Sequence, residues 1–327
     1  MLLSELHVVV GAGGATGRQV VRQLHLAGHR VRAVTRDGRA VGPPEVEAVA
    51  ADASDPSSLV RACRGASVVY HCVMPPLARW SRDFPVITDS LLAAASTAGA
   101  RLVFADDTWM YGRVDAPMTE ETPARPVTPA GVLRAWLAER ILHAGAAGRL
   151  PVSIVRAGEL YGPGVRSLIA GNVFGRVVRD RAVHWFGDPD QPLTPTFIGD
   201  FGRTLAVVGA ADTSSASVWH VPHPGVTTGR QLVIEACRQA GARLRMHRHG
   251  SAQIRLAGRV WPLAREGADL IYQFEQPFVV DGSRCLDAFG VQPTPYAEGI
   301  RSTLAASRGA VAVSPSVSPL NGTGVSR

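Results

Sequence analysis

Three glycines at a spacing of three, Gly11, Gly14 and Gly17, could bring a stretch of backbone against a phosphate group. They directly follow the β-branched run 7–10 and precede a stretch with helical apolar spacing. In such a strand–turn–helix unit the first glycine allows the tight turn, the second lets the backbone approach a pyrophosphate, and the third allows helix and strand to pack closely. The N–H groups that open the helix then face the phosphates. The pattern predicts a dinucleotide site formed by Gly11, Gly14, Ala15, Thr16 and Gly17.

The end of the second predicted strand, 31–34, indicates which dinucleotide binds. NAD-binding proteins usually carry a carboxylate here for the ribose hydroxyls, whereas this chain has Thr35 followed by Arg36. A guanidinium at this position would bind a 2′-phosphate, so the predicted cofactor is NADP(H). Asp52, after the third predicted strand, could accept a hydrogen bond from the adenine amino group. For Arg36 and Asp52 the alternative is an ordinary solvated side chain.

Two neighbouring acids, Asp106 and Asp107, stand at the end of a predicted strand, where doubly wound folds place their sites. Tyr111 is the nearest phenol along the sequence. These groups could exchange protons with a substrate, but paired acids also form turns and a tyrosine also packs into walls. Both interpretations stay open for Asp107 and Tyr111. His71 is expected to be a packed strand-end histidine rather than a base.

Apolar side chains near these acids predict a pocket for a largely apolar substrate. Trp109 lies between the acids and Tyr111, and Met74 opens a turn, 74–76, after an earlier predicted strand. Tyr161 is a second candidate phenol at the start of a Pro- and Gly-rich stretch. The predicted pocket is therefore lined by Met74, Trp109 and Tyr161, and no metal site is predicted.

The chain alternates predicted strands and helices, which is how a fold brings strand ends together. Strands are predicted at 7–10, 31–34, 67–71, 101–105 and 152–156, and helices at 57–63, 88–98 and 132–143. This alternation predicts an α/β protein with a Rossmann-type doubly wound parallel sheet and a smaller C-terminal substrate lobe. The predicted NADP-binding domain covers 1–160 and receives further elements from beyond 160. A substrate-side lobe interleaved with it covers 161–306, and a disordered tail covers 307–327.

All 34 basic residues of this 327-residue chain are arginines, and its formal net charge is +7. The arginines are scattered rather than clustered, so no nucleic-acid partner is predicted. Because the chain has no lysine, no step can use an amine as a Schiff base or as a ribose-binding ammonium.

The cysteines indicate a reducing compartment, since none belongs to a C-x-x-C pair and buried free thiols are expected. They are Cys63, Cys72, Cys237 and Cys285. The chain shows no signal-peptide pattern and no apolar run of about 18 residues, so a cytoplasmic protein that does not enter the membrane is expected.

Several segments together resemble the extended short-chain dehydrogenases/reductases, the NAD-dependent epimerase/dehydratase group. The resembling segments are the glycine pattern, Asp52, 69–71, 110–112, 156–164, 197–200 and 289–293. They follow one another in the family's order from about residue 5 to about residue 305. The resemblance therefore implies this family's fold over nearly the whole chain.

The chain departs from that family at its catalytic positions. Family members carry Ser or Thr four residues before a Tyr-Gly pair, where this chain has Asp107, and Tyr-x-x-x-Lys where it has Ala130 and Arg134. In the family the phenol exchanges a proton with the substrate and the lysine lowers the pKa of the phenol. The resemblance thus implies an atypical, actinobacterial-like subgroup, in which Arg134 could replace the positive charge beside the nicotinamide ribose. The stretch 196–200 also lacks the arginine with which many members bind a sugar nucleotide.

Three functions follow from these observations. The leading hypothesis is an NADP(H)-dependent oxidoreductase of secondary metabolism that acts on a small, largely apolar carbonyl or alcohol and takes its proton from Tyr111, Asp107 or water. The second is a non-redox cyclase, isomerase or lyase in which Asp107 and Arg134 perform acid–base chemistry. The third is a non-catalytic dinucleotide sensor. A small-molecule substrate is the expected partner, and a homodimer is left open.

Overall fold

The computed structural model describes residues 5–212, 216–250, 253–254 and 268–313. Its central sheet consists of β1 (Leu6–Val10), β2 (Arg30–Thr35), β3 (Glu47–Ala50), β4 (Val68–His71), β5 (Arg101–Asp106), β6 (Val152–Arg156) and β11 (Ala216–His220). All neighbouring pairs are parallel, in the order β11-β6-β5-β4-β1-β2-β3. The predicted Rossmann-type doubly wound sheet is confirmed.

Helices cover both faces of this sheet. One face packs against α2 (Pro56–Ala62), α3 (Trp80–Ala98) and α4 (Pro129–Ala146), and the other against α1 (Ala15–Leu26) and α6 (Ile198–Ala210). Strand residues alternate between the two cores because successive side chains point to opposite faces. In β1, Val8 and Val10 join the first core and Val9 joins the second. Strands buried on both faces explain why the sequence showed continuous apolar runs rather than alternation.

Two helices begin earlier than their apolar spacing predicted, at 129 rather than 132 and at 80 rather than 88. Thr128 caps α4, because its hydroxyl accepts a hydrogen bond from Gly131 N at 3.0 Å, and Pro129 suits a first helical turn. At α3, the 3₁₀ turn Leu77–Arg79 runs directly into the helix. Both helices therefore start close to the edge where the strands end.

The C-terminal lobe contains β7 (Leu160–Tyr161), α5 (Gly175–Val177), β8 (Val183–Phe186), β9 (Pro192–Leu193), β10 (Thr196–Phe197), β12 (Thr227–Thr228), α7 (Gly229–Ala240), β13 (Met246–His249), α8 (Ser283–Phe289) and α9 (Tyr296–Val313). Its strands pair two by two, β10 with β7, β12 with β9 and β13 with β8. Its core includes Phe174, Trp185, Leu232 and Leu304. The elements α6 and β11 fall between these segments in the chain but belong to the central sheet layers.

The predicted disordered tail begins too early. Residues 307–313 continue helix α9, whereas 314–327 lie outside the described residues. The composition of 307–327 suggested disorder, but the alanines at 305, 306 and 310 favour helix and extend α9 from its packed first turns. A helix that is anchored at one end does not need an apolar stripe along its last turn.

Candidate functional site

The glycine turn lies between β1 and α1, packed against the end of β4. A side-chain carbon at Gly11, which has φ +85°, would lie 2.7 Å from the Cys72 carbonyl, and one at Gly17 would lie 2.3 Å from Gly11 O. Gly14 is different, because it is exposed and an added carbon there would approach nothing closer than 3.4 Å. The two flanking glycines thus allow close packing, and Gly14 faces open space where a phosphate could approach. Ala15 and Thr16 open α1 beside it.

Three arginines surround this turn. Arg18 Nε donates a hydrogen bond to Gly13 O at 3.0 Å, and Arg36 is exposed just beyond β2. Arg39, which sequence reasoning missed, extends over the turn, so that a side-chain carbon at Gly13 would lie 2.7 Å from its Nη2 atom. The signal available in the sequence was a second arginine three residues after Arg36. Together these guanidiniums create a basic rim beside the glycines.

Asp52 forms a turn at the end of β3. Its Oδ1 atom accepts hydrogen bonds from Ser54 N at 2.9 Å and from the Ser54 hydroxyl at 2.7 Å. These bonds, with a smaller contribution from Arg36, lower the pKa of Asp52. The Asp52 carboxylate therefore forms a local turn with Ser54, and contact with an adenine ring stays a prediction.

A buried cluster of charges lies where β5 and β6 end. Arg134 Nε is 2.6 Å from Asp107 Oδ2 and 3.4 Å from Asp106 Oδ1, and Arg156 Nε is 3.3 Å from Asp106 Oδ2. Burial raises the pKa of Asp106 to about 6, against the opposing effect of Arg134. Buried charges of this kind are tolerated when each has a partner of opposite sign.

Arg134 is enclosed rather than open to a ligand. Its guanidinium carbon lies 4.7 Å from the Phe84 ring centroid and 5.0 Å from the Trp80 ring, and the side chain is 1% exposed. In this conformation it holds Asp106 and Asp107 and does not reach a surface where a ribose could lie. Ala130 precedes it by one turn in α4.

Tyr111 lies deep in the same cluster. Arg156 Nη1 donates to the Tyr111 hydroxyl at 2.6 Å, and this hydroxyl donates to His220 Nε2 at 2.6 Å. His220 Nδ1 donates to Asp281 O at 3.0 Å, which fixes the neutral tautomer. Burial lowers the pKa of His220 to about 4 and raises that of Tyr111. The phenol is thus closed off from solvent and joins β5 to β6 and β11.

Asp107 is the partly exposed end of the cluster, with 18% of its side chain accessible. While its Oδ2 atom pairs with Arg134, its Oδ1 atom accepts a hydrogen bond from Trp109 N at 3.0 Å. Asp107 therefore forms the turn after β5, and its part in proton exchange stays a prediction.

An apolar wall stands next to Asp107. The Trp109 ring stacks on Trp80 with centroids 5.5 Å apart, and Trp80 Nε1 donates to Pro75 O at 3.0 Å. Met74, 60% exposed, belongs to the same segment as Pro75. The structure thus joins Trp109 to the segment that contains Met74, and a substrate pocket at this wall stays a prediction.

Tyr161 and His71 are packed side chains. The Tyr161 ring is buried against Phe174, with centroids 6.0 Å apart, inside the core of the C-terminal lobe, and so is not on the surface with Trp109. The His71 ring meets the Phe104 ring edge-on at 4.7 Å. Burial lowers the pKa of His71 to about 3, so it is neutral and packed, as predicted.

Sequence reasoning missed three polar residues, Glu159, Tyr272 and Gln273. Glu159 follows β6 and is partly buried, and its Oε1 atom accepts a hydrogen bond from Leu168 N at 3.1 Å. Tyr272 and Gln273 belong to a buried 3₁₀ turn, Ile271–Phe274, far along the chain. The Tyr272 hydroxyl lies 3.5 Å from Trp109 O, and the charge of Asp107 contributes to raising the pKa of both Glu159 and Tyr272. For Glu159 the available signal was an acid within the family-like segment 156–164.

The sequence model of the NAD-dependent epimerase/dehydratase family matches residues 7–220, about two thirds of the chain. The chain belongs to this family. No curated protein sequence matches it significantly. No helix among the residues that the structure describes is long and apolar enough to cross a membrane.

Solved structures of epimerase/dehydratase proteins share the fold over nearly their whole length. MoeE5 in complex with UDP-glucose and NAD is 22% identical, with a TM-score of 0.75 over 94% of this chain and 99% of that one. The Thermus thermophilus UDP-glucose 4-epimerase with NAD is also 22% identical, with a TM-score of 0.75 over 93% and 99%. DesIV, a dTDP-glucose 4,6-dehydratase from Streptomyces venezuelae, is 21% identical, with a TM-score of 0.74 over 93% and 97%. At this identity the likeness establishes the fold.

Proposed function

We propose that this family member is an NADP(H)-dependent oxidoreductase of non-standard catalytic site that acts on a small, largely apolar carbonyl or alcohol. The observation that carries the proposal is the stacked pair Trp109 and Trp80 beside the Asp107 carboxylate, at the sheet edge where doubly wound folds bind ligands. Related structures that contain NAD support a nicotinamide dinucleotide at the glycine turn.

The basic rim supports NADP(H) over NAD(H). The start of α1 at Ala15 and Thr16, beside the exposed Gly14, fits a pyrophosphate, and the exposed Arg36 and Arg39 lie just beyond β2, where they could bind a 2′-phosphate. Thr35, at the end of β2, offers no carboxylate to the ribose hydroxyls. The bound dinucleotide would supply or accept a hydride, and these residues would bind and orient it.

The lobe supports a substrate other than a sugar nucleotide. The acid of the segment 196–200, Asp200, is buried and accepts hydrogen bonds from the Thr294 hydroxyl at 2.7 Å and Thr294 N at 2.8 Å. It therefore ties α6 to the segment before α9, and the segment 196–200 has no arginine to bind a diphosphate. With Ala130 and Arg134 at the positions of the family's Tyr and Lys, the proton donor must come from elsewhere.

One observation favours a non-redox cyclase, isomerase or lyase as the second candidate. Asp107 is an aspartate paired with Arg134 at 2.6 Å, an arrangement suited to accepting a proton from carbon or oxygen. Such a reaction would leave the nicotinamide unchanged.

The test is calorimetric titration with NADPH and NADH, followed by turnover of a panel of small ketones, aldehydes and alcohols with nicotinamide absorbance and product measured together. Tighter binding of NADPH and stoichiometric nicotinamide oxidation or reduction support the proposal. Product without any nicotinamide change supports the second candidate. Binding without product from any compound supports a non-catalytic sensor.

We also propose a cytoplasmic homodimer. The four free, buried cysteines agree with a reducing compartment. The faces of α3 and α4 expose Val86, Val132 and Trp136, next to a groove lined by charges of both signs, among them Asp89 and Arg140. A face with both signs can match a second copy of itself across a two-fold axis. Sedimentation of the wild type and of Trp136→Asp checks this, with a dimer expected only for the wild type.

A further inference from the structure

Glu159 is held at the edge of the sheet where β5 and β6 end. It lies three residues after Arg156, the last residue of β6. Leu168 N, at 3.1 Å, and Ile169 N, at 3.5 Å, donate to its Oε1 atom, at the start of the helical stretch that leads to α5. These bonds fix one carboxyl oxygen, while the side chain as a whole stays partly exposed.

Next to Glu159 is a narrow cavity with room for about one water molecule, and its lining contains an amide without partners. Gln273 lines this cavity, is 2% exposed, and neither its Nε2 nor its Oε1 atom has a hydrogen-bond partner in the described part of the chain. Leaving buried polar groups unpaired costs about 1–3 kcal/mol each. The remaining lining is Leu193, Thr194, Pro195, Phe274 and Phe278, so a polar ligand atom that enters would meet Gln273 and Glu159 among mostly apolar groups.

Glu159, which lines this cavity, and Asp107, at the end of β5, lie in opposite environments. Asp107 is paired with Arg134 at 2.6 Å, whereas no ion pair with a cation is found for Glu159 among the described residues. Burial raises the pKa of Glu159 to about 7, and the negative charge of Asp107 contributes to the same shift. Where neighbouring groups differ in this way, the group that keeps its proton is the acid and the ionised one is the base or the stabiliser.

We infer that Glu159 is a catalytic residue that exchanges the proton with the substrate oxygen, with the Gln273 amide binding that oxygen and Asp107 acting as the ionised partner. The inference rests on the proposed oxidoreductase function. In the reducing direction, the hydride that NADPH supplies forms a C–H bond at the carbonyl carbon. The π electron pair moves to the oxygen, which takes the proton of the Glu159 carboxyl group. The products are the alcohol, NADP⁺ and a Glu159 carboxylate that water protonates again.

The first experiment needs no substrate. Carbon-13 NMR of the ligand-free protein, labelled at the glutamate carboxyl carbons, follows the resonance that Glu159→Gln removes. A midpoint near neutral pH is expected, and Asp107→Asn should lower it because a nearby negative charge is lost. Glu235→Gln, which removes a carboxyl group of α7 that pairs with Arg238, should leave it unchanged. A midpoint near the ordinary glutamate value of about 4.3 would overturn the inference.

The second experiment measures turnover of the same panel of carbonyl compounds with NADPH. Glu159→Gln keeps an acceptor for Leu168 N, so melting temperature and NADPH affinity should be unchanged, while kcat falls by about 10²–10⁴-fold. Gln273→Leu should raise KM, and it should lower kcat less than Glu159→Gln does. Wild-type turnover in Glu159→Gln would contradict the inference and leave the proposed function standing. If the wild type turns over nothing, the oxidoreductase proposal fails and the catalytic role of Glu159 fails with it, even when Glu159 titrates near neutrality.

Discussion

Arg134 Nε lies 2.6 Å from Asp107 Oδ2, and this ion pair joins the first turns of α4 to the end of β5. The guanidinium is enclosed by Trp80 and Phe84, so the pair fixes the orientation of the partly exposed Asp107 carboxylate. A lysine at this position would be a point charge on a flexible stem, whereas the planar guanidinium packs against rings and carboxylates together. Asp107 and Arg134 therefore act as one structural unit.

Replacing Arg134 should destabilise the fold. Arg134→Leu removes one of the two arginines that pair with Asp106 and the ion pair of Asp107. Breaking a buried ion pair costs about 3–5 kcal/mol. The free energy of unfolding from urea titration at neutral pH measures this loss. Arg140→Leu removes a surface arginine of the same helix, paired with Asp89, and should cost less than about 1 kcal/mol. Equal losses in the two variants would show that the buried cluster adds no stability.

Replacing the arginines of the basic rim should weaken the binding of NADPH but not that of NADH. Arg36→Ala and Arg39→Ala should each weaken NADPH binding by roughly tenfold or more, because a hydrogen bond to a charged group contributes about 1.5–3 kcal/mol. NADH affinity should hardly change, since it has no 2′-phosphate. Calorimetry of both cofactors measures this, with Arg30→Ala, at the opposite end of β2, as the matched control. A parallel loss for both cofactors would place these arginines at the pyrophosphate instead.

His71 predicts a pH dependence of stability. Burial lowers its pKa from 6.5 to about 3, so between these values the unfolded chain binds a proton that the folded protein does not. The stability that this neutral histidine contributes is full above pH 6.5 and is lost as the pH falls. Between pH 7 and pH 4.5, the free energy of unfolding of His71→Leu should therefore fall by about 2 kcal/mol less than that of the wild type. Denaturant titrations at the two values measure the difference, with His25→Gln in α1 as the control. If the unfolding free energies of His71→Leu and of the wild type fall equally between the two pH values, His71 is not a neutral buried group.

The fold and the glycine turn were predictable because their signals are local. A β-branched run ending in glycine and followed by helical spacing specifies its own geometry, and repetition of that unit specifies a parallel sheet. Asp107 and Trp109 were found for the same reason, since they follow a recognisable strand. Arg134 was found by its spacing within a family motif, but its burial was not, because the rings that enclose it come from α3 and β5.

The remaining site residues depend on contacts between distant segments. Gln273 reaches the cavity from a turn more than a hundred residues after Glu159, and no local pattern connects the two. Tyr161 was assigned to the pocket by its motif, yet its ring packs into a core built from α9 and the segment before α5. Arg39 was passed over because its role comes from side-chain reach rather than from its place at the strand end.

Tyr111 is a buried network residue, so its hydroxyl should matter for stability rather than for proton transfer. Tyr111→Phe removes the acceptor of Arg156 Nη1 and the donor to His220 Nε2, which should cost about 1–3 kcal/mol of unfolding free energy. Turnover per folded molecule should stay within a few-fold of wild type, because Glu159 rather than Tyr111 faces the substrate. Tyr161→Phe is the matched control, since that buried hydroxyl has no partner among the described residues and its removal should cost nothing or stabilise. Urea titration of the two variants compares the hydroxyls directly, and turnover is then measured below the unfolding transition. A loss of more than a hundredfold in the kcat of Tyr111→Phe with stability unchanged would return the proton-donor role to Tyr111 and remove it from Glu159.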